Sequence, residues 1–219
     1  MIKCCIFDLD GTLIDSLHDL ANAANSTLAS FGLPVHDTEK YKQFVGNGVV
    51  KLMERILPDE YRTDTYKEKI FSVFSENYSR CCLDFTKPYS GISEILEELK
   101  KQNIVLAVAS NKPDDLAKKI IKNLLPDIFD DVFGKMADTS AKPSPDLCLR
   151  IMQNHSVEAS ACAFIGDSYV DILTAINAKI LPIGVTWGFR SRDELQNAGA
   201  RYIINKPKEL LNILKNRDV

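Results

Sequence analysis

Several short, almost continuously apolar segments constrain the fold of this chain more than any other feature. The strongest cover residues 3–9, 104–109, 161–165 and 181–185, and weaker ones cover 131–133 and 202–204. Gly, Pro, Asn or Asp bounds each segment. A strand that is apolar on both sides is typical of a parallel sheet with helices on both faces. The pattern therefore predicts an α/β fold built on a parallel sheet.

Amphipathic stretches separate these segments. One helix face is predicted from Ile92, Ile95, Leu96 and Leu99, and another from Leu116, Ile120, Ile121 and Leu124. Alternating strands and helices favour a doubly wound, Rossmann-like core. Residues 16–82 show only helical periodicity, which predicts an all-helical domain of residues 16–87 inserted into a core of residues 1–15 and 88–219. Because ligands bind at the carboxyl ends of parallel strands, we expect this insertion to cover the site as a lid.

Charge and hydropathy exclude several classes of protein. The chain has 27 basic and 30 acidic side chains, a net charge of −3, which argues against a nucleic-acid-binding protein. No apolar run approaches the roughly 18 residues of a membrane span, so no membrane partner is expected. The first residues lack the apolar region of a secretory signal, and a cytoplasmic location is expected.

Two carboxylates, Asp8 and Asp10, lie two residues apart at the end of the first apolar segment. An Asp-Gly turn or a helix cap explains one of them. Neither explains two crowded acids that emerge from a buried strand, where an unpaired charge is costly. The pair therefore needs a bound cation, a proton or both.

Later segments end in further polar side chains, among which are Ser110, Asn111, Lys142, Asp167 and Asp171. Each has an ordinary explanation by itself, because Ser caps helices and Lys is usually a surface charge. Their joint placement at successive strand ends is harder to explain by capping. It indicates a site for an anion and a cation at one edge of the sheet.

Four segments resemble the four motifs of the haloacid dehalogenase superfamily of phosphohydrolases. They are DLDGTLIDS at 8–16, SNK at 110–112, KP at 142–143 and GDSYVD at 166–171. The helical insertion is similar to the small helical cap of that superfamily. WGFR at 187–190 and GNG at 46–48 are most similar to its phosphoglycolate phosphatase branch. The resemblance spans the whole chain.

The resemblance implies a catalytic role for three of these side chains. Asp8 would be the nucleophile that forms an aspartyl-phosphate, and Asp10 would be the general acid and then the general base. Lys142 would bind the phosphoryl group and neutralise Asp8. Mg²⁺ would be held by Asp8, the backbone carbonyl of Asp10 and Asp167, with Asp171 beyond the direct ligands.

The resemblance also implies substrate contacts. The expected phosphate contacts are Thr12, which would also orient the loop of Asp10, and Ser110, Asn111 and Lys142. In the cap, Gly46, Asn47 and Lys51 would face the substrate, with Arg55 next to them. Lys51 and Arg55 share a helix face, and the hypothesis is that one of them contacts a substrate carboxylate. The alternative is that both are solvated surface charges.

The predicted function is Mg²⁺-dependent hydrolysis of a small phosphorylated metabolite, most similar to that of a phosphoglycolate phosphatase. A β-phosphoglucomutase or a pyrophosphatase of the same superfamily stays open. A phosphoaspartate receiver module is the alternative of another class, although its acidic pair and its acceptor lie on different strands, whereas Asp8 and Asp10 share one. A monomer and a homodimer both fit the sequence.

Overall fold

The structure, a computed structural model, describes residues 1–215 and divides into two compact units. The α/β unit consists of Met1–Ile14 and Pro88–Val219, and the helical unit consists of Asp15–Lys87. The predicted core extends to residue 219, and its last four residues, 216–219, lie outside the described residues.

The described residues form eight strands, six of which overlap the predicted apolar segments and two of which, Ile14–Asp15 and Lys87–Pro88, have no counterpart among them. They are β1 (Cys4–Phe7), β2 (Ile14–Asp15), β3 (Lys87–Pro88), β4 (Val105–Pro113), β5 (Asp131–Lys135), β6 (Cys162–Gly166), β7 (Leu181–Val185) and β8 (Tyr202–Ile204). Six of them form a parallel sheet in the order β5-β4-β1-β6-β7-β8, and β2 and β3 form a separate pair. The α/β fold class is confirmed.

Strand β1 lies at the centre of the sheet, because the chain adds β4 on one side of it and β6 on the other. Ile6 is aligned with Ala107 of β4 and with Phe164 of β6. All three side chains are buried, which explains why these segments are apolar on both faces. The carboxyl ends of β4, β1 and β6 therefore lie side by side at a switch point of the sheet.

Strand β4 is longer than its apolar segment. The prediction ends at residue 109, whereas the strand continues to Pro113. Its pairing with β5 shifts register between Ala109 and Pro113. Ser110 and Asn111 thus lie within an irregular end of the strand rather than in a loop after it.

The helices are divided between the two units. The helical unit contains α1 (Leu17–Ser30), α2 (Tyr41–Phe44), α3 (Val49–Ile56) and α4 (Asp64–Cys81). The α/β unit contains α5 (Ile92–Lys101), α6 (Asp114–Leu124), α7 (Asp146–Asn154), α8 (Tyr169–Asn177), α9 (Arg192–Asn197) and α10 (Leu210–Lys215). The predicted apolar face of α5 is fully buried, whereas α6 buries Ile120 and Ile121 and leaves Leu116 and Leu124 half-buried. Across residues 1–215, none of these helices combines the length and the apolar character that a membrane span requires.

The helical unit has its own core and its own buried polar contacts. Leu28, Met53 and Phe74 are buried in it. The carboxylate of Asp19, which is 1% exposed, accepts hydrogen bonds from the backbone N–H groups of Phe85 and Thr86. A buried carboxylate needs such donors to offset its loss of hydration, so this contact fixes the end of the unit to α1.

Candidate active site

The loop after β1 holds the two predicted carboxylates, Asp8 and Asp10. The turn between β1 and β2 depends on Gly11, whose φ of 83° lies in the left-handed region. A Cβ atom at Gly11 would also overlap the Asp167 carboxylate. The chain can therefore pass close to Asp167, at the end of β6, only because residue 11 has no side chain.

Lys142 joins two carboxylates from different parts of the chain. Its Nζ lies 2.7 Å from Asp8 Oδ1 and 2.7 Å from Asp171 Oδ1. The lysine side chain is 1% exposed. Burial alone would lower the pKa of Lys142, but the negative charges of Asp171 and Asp8 raise it above its ordinary value. The ammonium therefore stays protonated and provides a fixed positive charge beside Asp8.

A second ion pair, which the sequence interpretation missed, lies beside the first. Lys112 Nζ is 3.1 Å from Asp10 Oδ2, and the lysine side chain is 3% exposed. Each carboxylate of the Asp8–Asp10 pair thus has its own lysine. The sequence offers no signal for this pair, because a lysine at a strand end is ordinarily a surface charge and Asp10 lies on a distant segment of the chain.

Asp167 is oriented by hydrogen bonds to both of its oxygens. Oδ2 accepts the backbone N–H of Phe189 at 2.7 Å, and Oδ1 accepts the Thr12 hydroxyl at 3.3 Å. Trp187 Nε1 donates to the Thr12 carbonyl at 2.9 Å, and a Cβ atom at Gly188 would overlap Asp167. The segment after β7 therefore positions an acidic residue of the site. The sequence interpretation used this segment only as a mark of family resemblance.

Asn111 and Ser110 organise the backbone around the lysines. Asn111 Oδ1 accepts the backbone N–H of Lys142 at 2.7 Å, and its Nδ2 donates to the Lys142 carbonyl at 3.2 Å. Asn111 thus fixes the backbone from which the Lys142 side chain extends. The hydroxyl oxygen of Ser110 accepts the N–H of Lys112 at 3.2 Å, and Ser110 is buried at the end of β4.

Asp171 has two structural partners besides its place in the acidic group. Its Oδ2 accepts the hydroxyl of Ser168 at 2.7 Å and the N–H of Ser168 at 3.0 Å, which forms a capping box at the start of α8. Its Oδ1 accepts from Lys142. Both carboxylate oxygens of Asp171 are therefore engaged by groups of the protein.

Three buried carboxylates, those of Asp8, Asp167 and Asp171, offer oxygens within 4.8 Å of one another. Burial, followed by the charge of Asp171, raises the pKa of Asp8 to about 7 despite the opposing effect of Lys142. Burial and the charges of Asp171 and Asp8 raise the pKa of Asp167 well above its usual range. The negative charges of these carboxylates repel one another, and a hard divalent cation among their oxygens would reduce that repulsion.

The predicted cap residues lie together at the start of α3, inside the helical unit. Gly48 precedes the helix with a φ of 83°, and Asn47 Oδ1 accepts a hydrogen bond from Arg55 at 2.8 Å. Arg55 also donates to the Phe44 carbonyl at 2.8 Å. Lys51 pairs with Glu54 at 2.6 Å, and its side chain is 57% exposed. Gly46 has a φ of 104° in the same turn.

Known proteins resemble this chain along almost its whole length. Residues 5–185 match the family described as Haloacid dehalogenase-like hydrolase. A phosphoglycolate phosphatase of Vibrio parahaemolyticus is 31% identical over 97% of this chain and 96% of its own length. The phosphoglycolate phosphatase of Aquifex aeolicus is 32% identical over 100% of this chain and 99% of its own length. A solved structure of a candidate phosphoglycolate phosphatase from Lactobacillus delbrueckii subsp. bulgaricus has a TM-score of 0.92 and 31% identity, and the match covers 97% of this chain and 98% of that one.

Proposed function

Because the chain belongs to the haloacid dehalogenase-like hydrolases and is a phosphatase, we propose that it hydrolyses 2-phosphoglycolate through a phosphoenzyme on Asp8. The choice of 2-phosphoglycolate as substrate rests on the full-length similarity to several curated phosphoglycolate phosphatases. The ion pairs at the ends of β1 and β4 support the chemistry, because they hold a nucleophile and a proton donor beside fixed positive charges.

Phosphatases of this family generally use Mg²⁺, and the donor set in this chain fits that ion. Carboxylate and carbonyl oxygens are the ligands that Mg²⁺ prefers. We propose that Asp8, Asp167 and the backbone carbonyl of Asp10 hold it, while Asp171 acts through Lys142. When bound, the ion supplies positive charge to the phosphoryl oxygens and offsets the repulsion among the buried carboxylates.

In the proposed first step, an oxygen of Asp8 forms a bond to phosphorus while the bond from phosphorus to the leaving oxygen breaks. Asp10 gives a proton to that oxygen, and glycolate leaves as the alcohol. In the second step Asp10 takes a proton from water, whose oxygen attacks phosphorus and restores the free Asp8 carboxylate. Lys142 stabilises the negative charge of the transferring group in both steps.

The remaining predicted contacts have narrower proposed roles. Ser110 is proposed to bind the phosphoryl group, and Thr12 to border it while it orients Asp167. Asn111 is proposed to position Lys142. In the helical unit, Gly46, Asn47 and Lys51 remain proposed substrate contacts.

A panel of phosphate esters tests the proposed substrate. Purified protein would be assayed for released phosphate with Mg²⁺ and 2-phosphoglycolate, β-glucose 1-phosphate, pyrophosphate or p-nitrophenyl phosphate. We expect 2-phosphoglycolate to give the highest kcat/KM and chelation of Mg²⁺ to stop turnover. A higher kcat/KM for pyrophosphate or a sugar phosphate would overturn the proposed substrate but not the phosphatase class. Isomerisation of β-glucose 1-phosphate would identify a mutase instead.

A further inference from the structure

Trp187 links two segments of the α/β unit that are far apart in the sequence. It is the only tryptophan of the chain, and it follows the last residue of β7 by two positions. Its indole Nε1 donates a hydrogen bond of 2.9 Å to the backbone carbonyl of Thr12, which is 0% exposed. The side chain therefore connects the end of β7 to the loop after β1, which also carries Asp10.

The order of the strands explains why this link needs a long side chain. Strand β6 lies between β1 and β7, so the two linked segments belong to strands that are not neighbours. Neighbouring strands are about 4.8 Å apart, which separates β1 from β7 by about 10 Å. An indole covers part of that distance and ends in an N–H donor. Asp167 follows directly after β6, so it lies between the two segments.

Both linked segments bond Asp167. The Thr12 hydroxyl donates to its Oδ1 at 3.3 Å, and the backbone N–H of Phe189 donates to its Oδ2 at 2.7 Å. A hydroxyl bond of 3.3 Å is long, so it depends on the position of the Thr12 backbone. The N–H of Thr12 bonds the Leu9 carbonyl at 3.3 Å as well. The shorter bond from the indole is therefore the firmer anchor of Thr12.

Packing keeps the indole and its neighbouring backbone in one place. Trp187 lines a small apolar cavity together with Ile95 and Ile165, which are both buried. A Cβ atom at Gly188 would overlap the carbonyl oxygen of Gly11, so the two backbones approach as closely as a glycine permits. A ring held in this way can hold its partner Thr12 in turn.

We propose that Trp187 is a positioning residue for the Mg²⁺ site, which acts through the Thr12 hydroxyl on Asp167. This inference rests on the proposed function, in which Asp167 is a direct ligand of the ion. Groups that orient a metal ligand typically change the affinity for the metal by about 10- to 100-fold when they are removed. Because Trp187 acts on a ligand of the ion, its loss should weaken Mg²⁺ binding and leave KM for 2-phosphoglycolate unchanged at saturating Mg²⁺.

Calorimetric titration with MgCl₂, without substrate, tests the inference. Thr12→Val keeps the shape of the side chain but removes the hydroxyl, so we expect the Kd of Mg²⁺ to rise about 10-fold. Trp187→Phe removes the indole N–H, and we expect a rise of about 5-fold, as for loss of one hydrogen bond. The double variant should bind Mg²⁺ about as weakly as Thr12→Val alone, because the indole acts through the hydroxyl.

Ile95→Val is the matched control, because it reduces packing in the cavity beside Trp187 and keeps the indole donor. Its Kd should equal that of the wild type. An unchanged Kd in Trp187→Phe, even with a lower melting temperature, would overturn the inference, because the role would then be merely structural. An additive loss in the double variant, or an equal loss in Ile95→Val, would overturn it as well.

Trp187 fluorescence provides a second measurement if Trp187→Phe does not fold. We expect the emission of the wild type to change with the same Kd as the calorimetric titration and to change less in Thr12→Val. A wild-type emission that does not respond to bound Mg²⁺ would overturn the inference.

The inference and the proposed metal site can fail separately. If the wild type binds no Mg²⁺, or if Asp167→Asn binds it equally well, the proposed site fails and the inference fails with it. If Asp167→Asn loses Mg²⁺ but Trp187→Phe binds like the wild type, only the inference is overturned.

Discussion

A lysine touches a carboxylate in both units, yet the pKa of the carboxyl group moves in opposite directions. In the helical unit, the hydrogen bond from Lys51 lowers the pKa of Glu54. In the α/β unit, Asp8 has a lysine at 2.7 Å, and its pKa rises to about 7. Burial and the neighbouring Asp171 outweigh the lysine at Asp8, whereas water surrounds the pair on α3. The environment of an ion pair, more than its residue types, therefore decides whether the pKa of its carboxyl group rises or falls.

Among the substitutions proposed in the two units, removal of the Asp8 charge in the α/β unit should have the largest effect on activity. Asp8→Asn keeps the volume of the side chain but removes the proposed nucleophile, so we expect kcat to fall by at least about 10³-fold. Released phosphate measures the activity, and circular dichroism measures the fold. Steady-state turnover close to that of the wild type would show that another group attacks phosphorus.

The next largest effect is expected from Lys142→Met. The change leaves Asp8 and Asp171 without their shared counterion, and breaking a buried ion pair costs about 3 kcal/mol of stability. We also expect kcat to fall by about 10²-fold, because the phosphoryl group loses a fixed positive charge. Urea unfolding and phosphate release measure the two effects. A variant as stable and active as Lys118→Met, which removes an exposed lysine of α6 that pairs with Asp114, would contradict the importance given to burial.

Mg²⁺ should stabilise the protein more at about pH 8 than at about pH 5.5. The pKa of Asp8 rises from 3.8 to about 7, so the folded metal-free protein binds a proton there that the unfolded chain releases. This proton contributes stability that is full below the lower value and is lost as pH rises through the higher one. Mg²⁺ needs the ionised carboxylate and competes with the proton.

Thermal unfolding with Mg²⁺ or a chelator at both pH values measures this difference. Asp8→Asn is the matched control, because it lacks the titrating group and should show a smaller pH dependence of the Mg²⁺ effect. If Mg²⁺ raised the melting temperature of the wild type equally at both pH values, the result would show that Asp8 does not bind the ion.

The smallest effects are expected in the helical unit. Lys51→Ala removes an exposed charge, and a surface pair contributes little to stability. If Lys51 contacts the substrate, KM for 2-phosphoglycolate should rise a few-fold with kcat unchanged. Arg55→Ala is the matched comparison, because Arg55 bonds the Phe44 carbonyl and Asn47 within its own unit. An unchanged KM in both variants would show that neither Lys51 nor Arg55 contacts the substrate.

Much of the fold was readable from the sequence because burial on both faces leaves an unbroken apolar segment. The bounds of β7 and β8 match the predicted segments 181–185 and 202–204. Asp8, Ser110 and Asp167 could be grouped because parallel strands end at one edge of the sheet. Periodicity and strand order carried these predictions.

Other parts of the site left no such pattern. Lys112 was missed because a lysine at a strand end is ordinarily a surface residue, and its partner Asp10 lies on a distant segment of the chain. The donor to Asp167 is the backbone N–H of Phe189, which any residue except proline would supply. The contact between Asn111 and the Lys142 backbone likewise depends on tertiary packing. Sequence patterns locate side chains, whereas these contacts depend on how loops meet.

A phosphoenzyme on Asp8 is the most direct test of the mechanism. Asp10→Asn should slow hydrolysis of the aspartyl-phosphate, because the side chain proposed to activate water is lost. The variant would be mixed with 2-phosphoglycolate and Mg²⁺, quenched with acid and analysed by peptide mass spectrometry. We expect a phosphoryl group on Asp8 that is absent when Mg²⁺ is chelated or when Asp8→Asn is combined with the variant. A phosphoryl group on another residue, or none at any time while the wild type releases phosphate, would contradict the account.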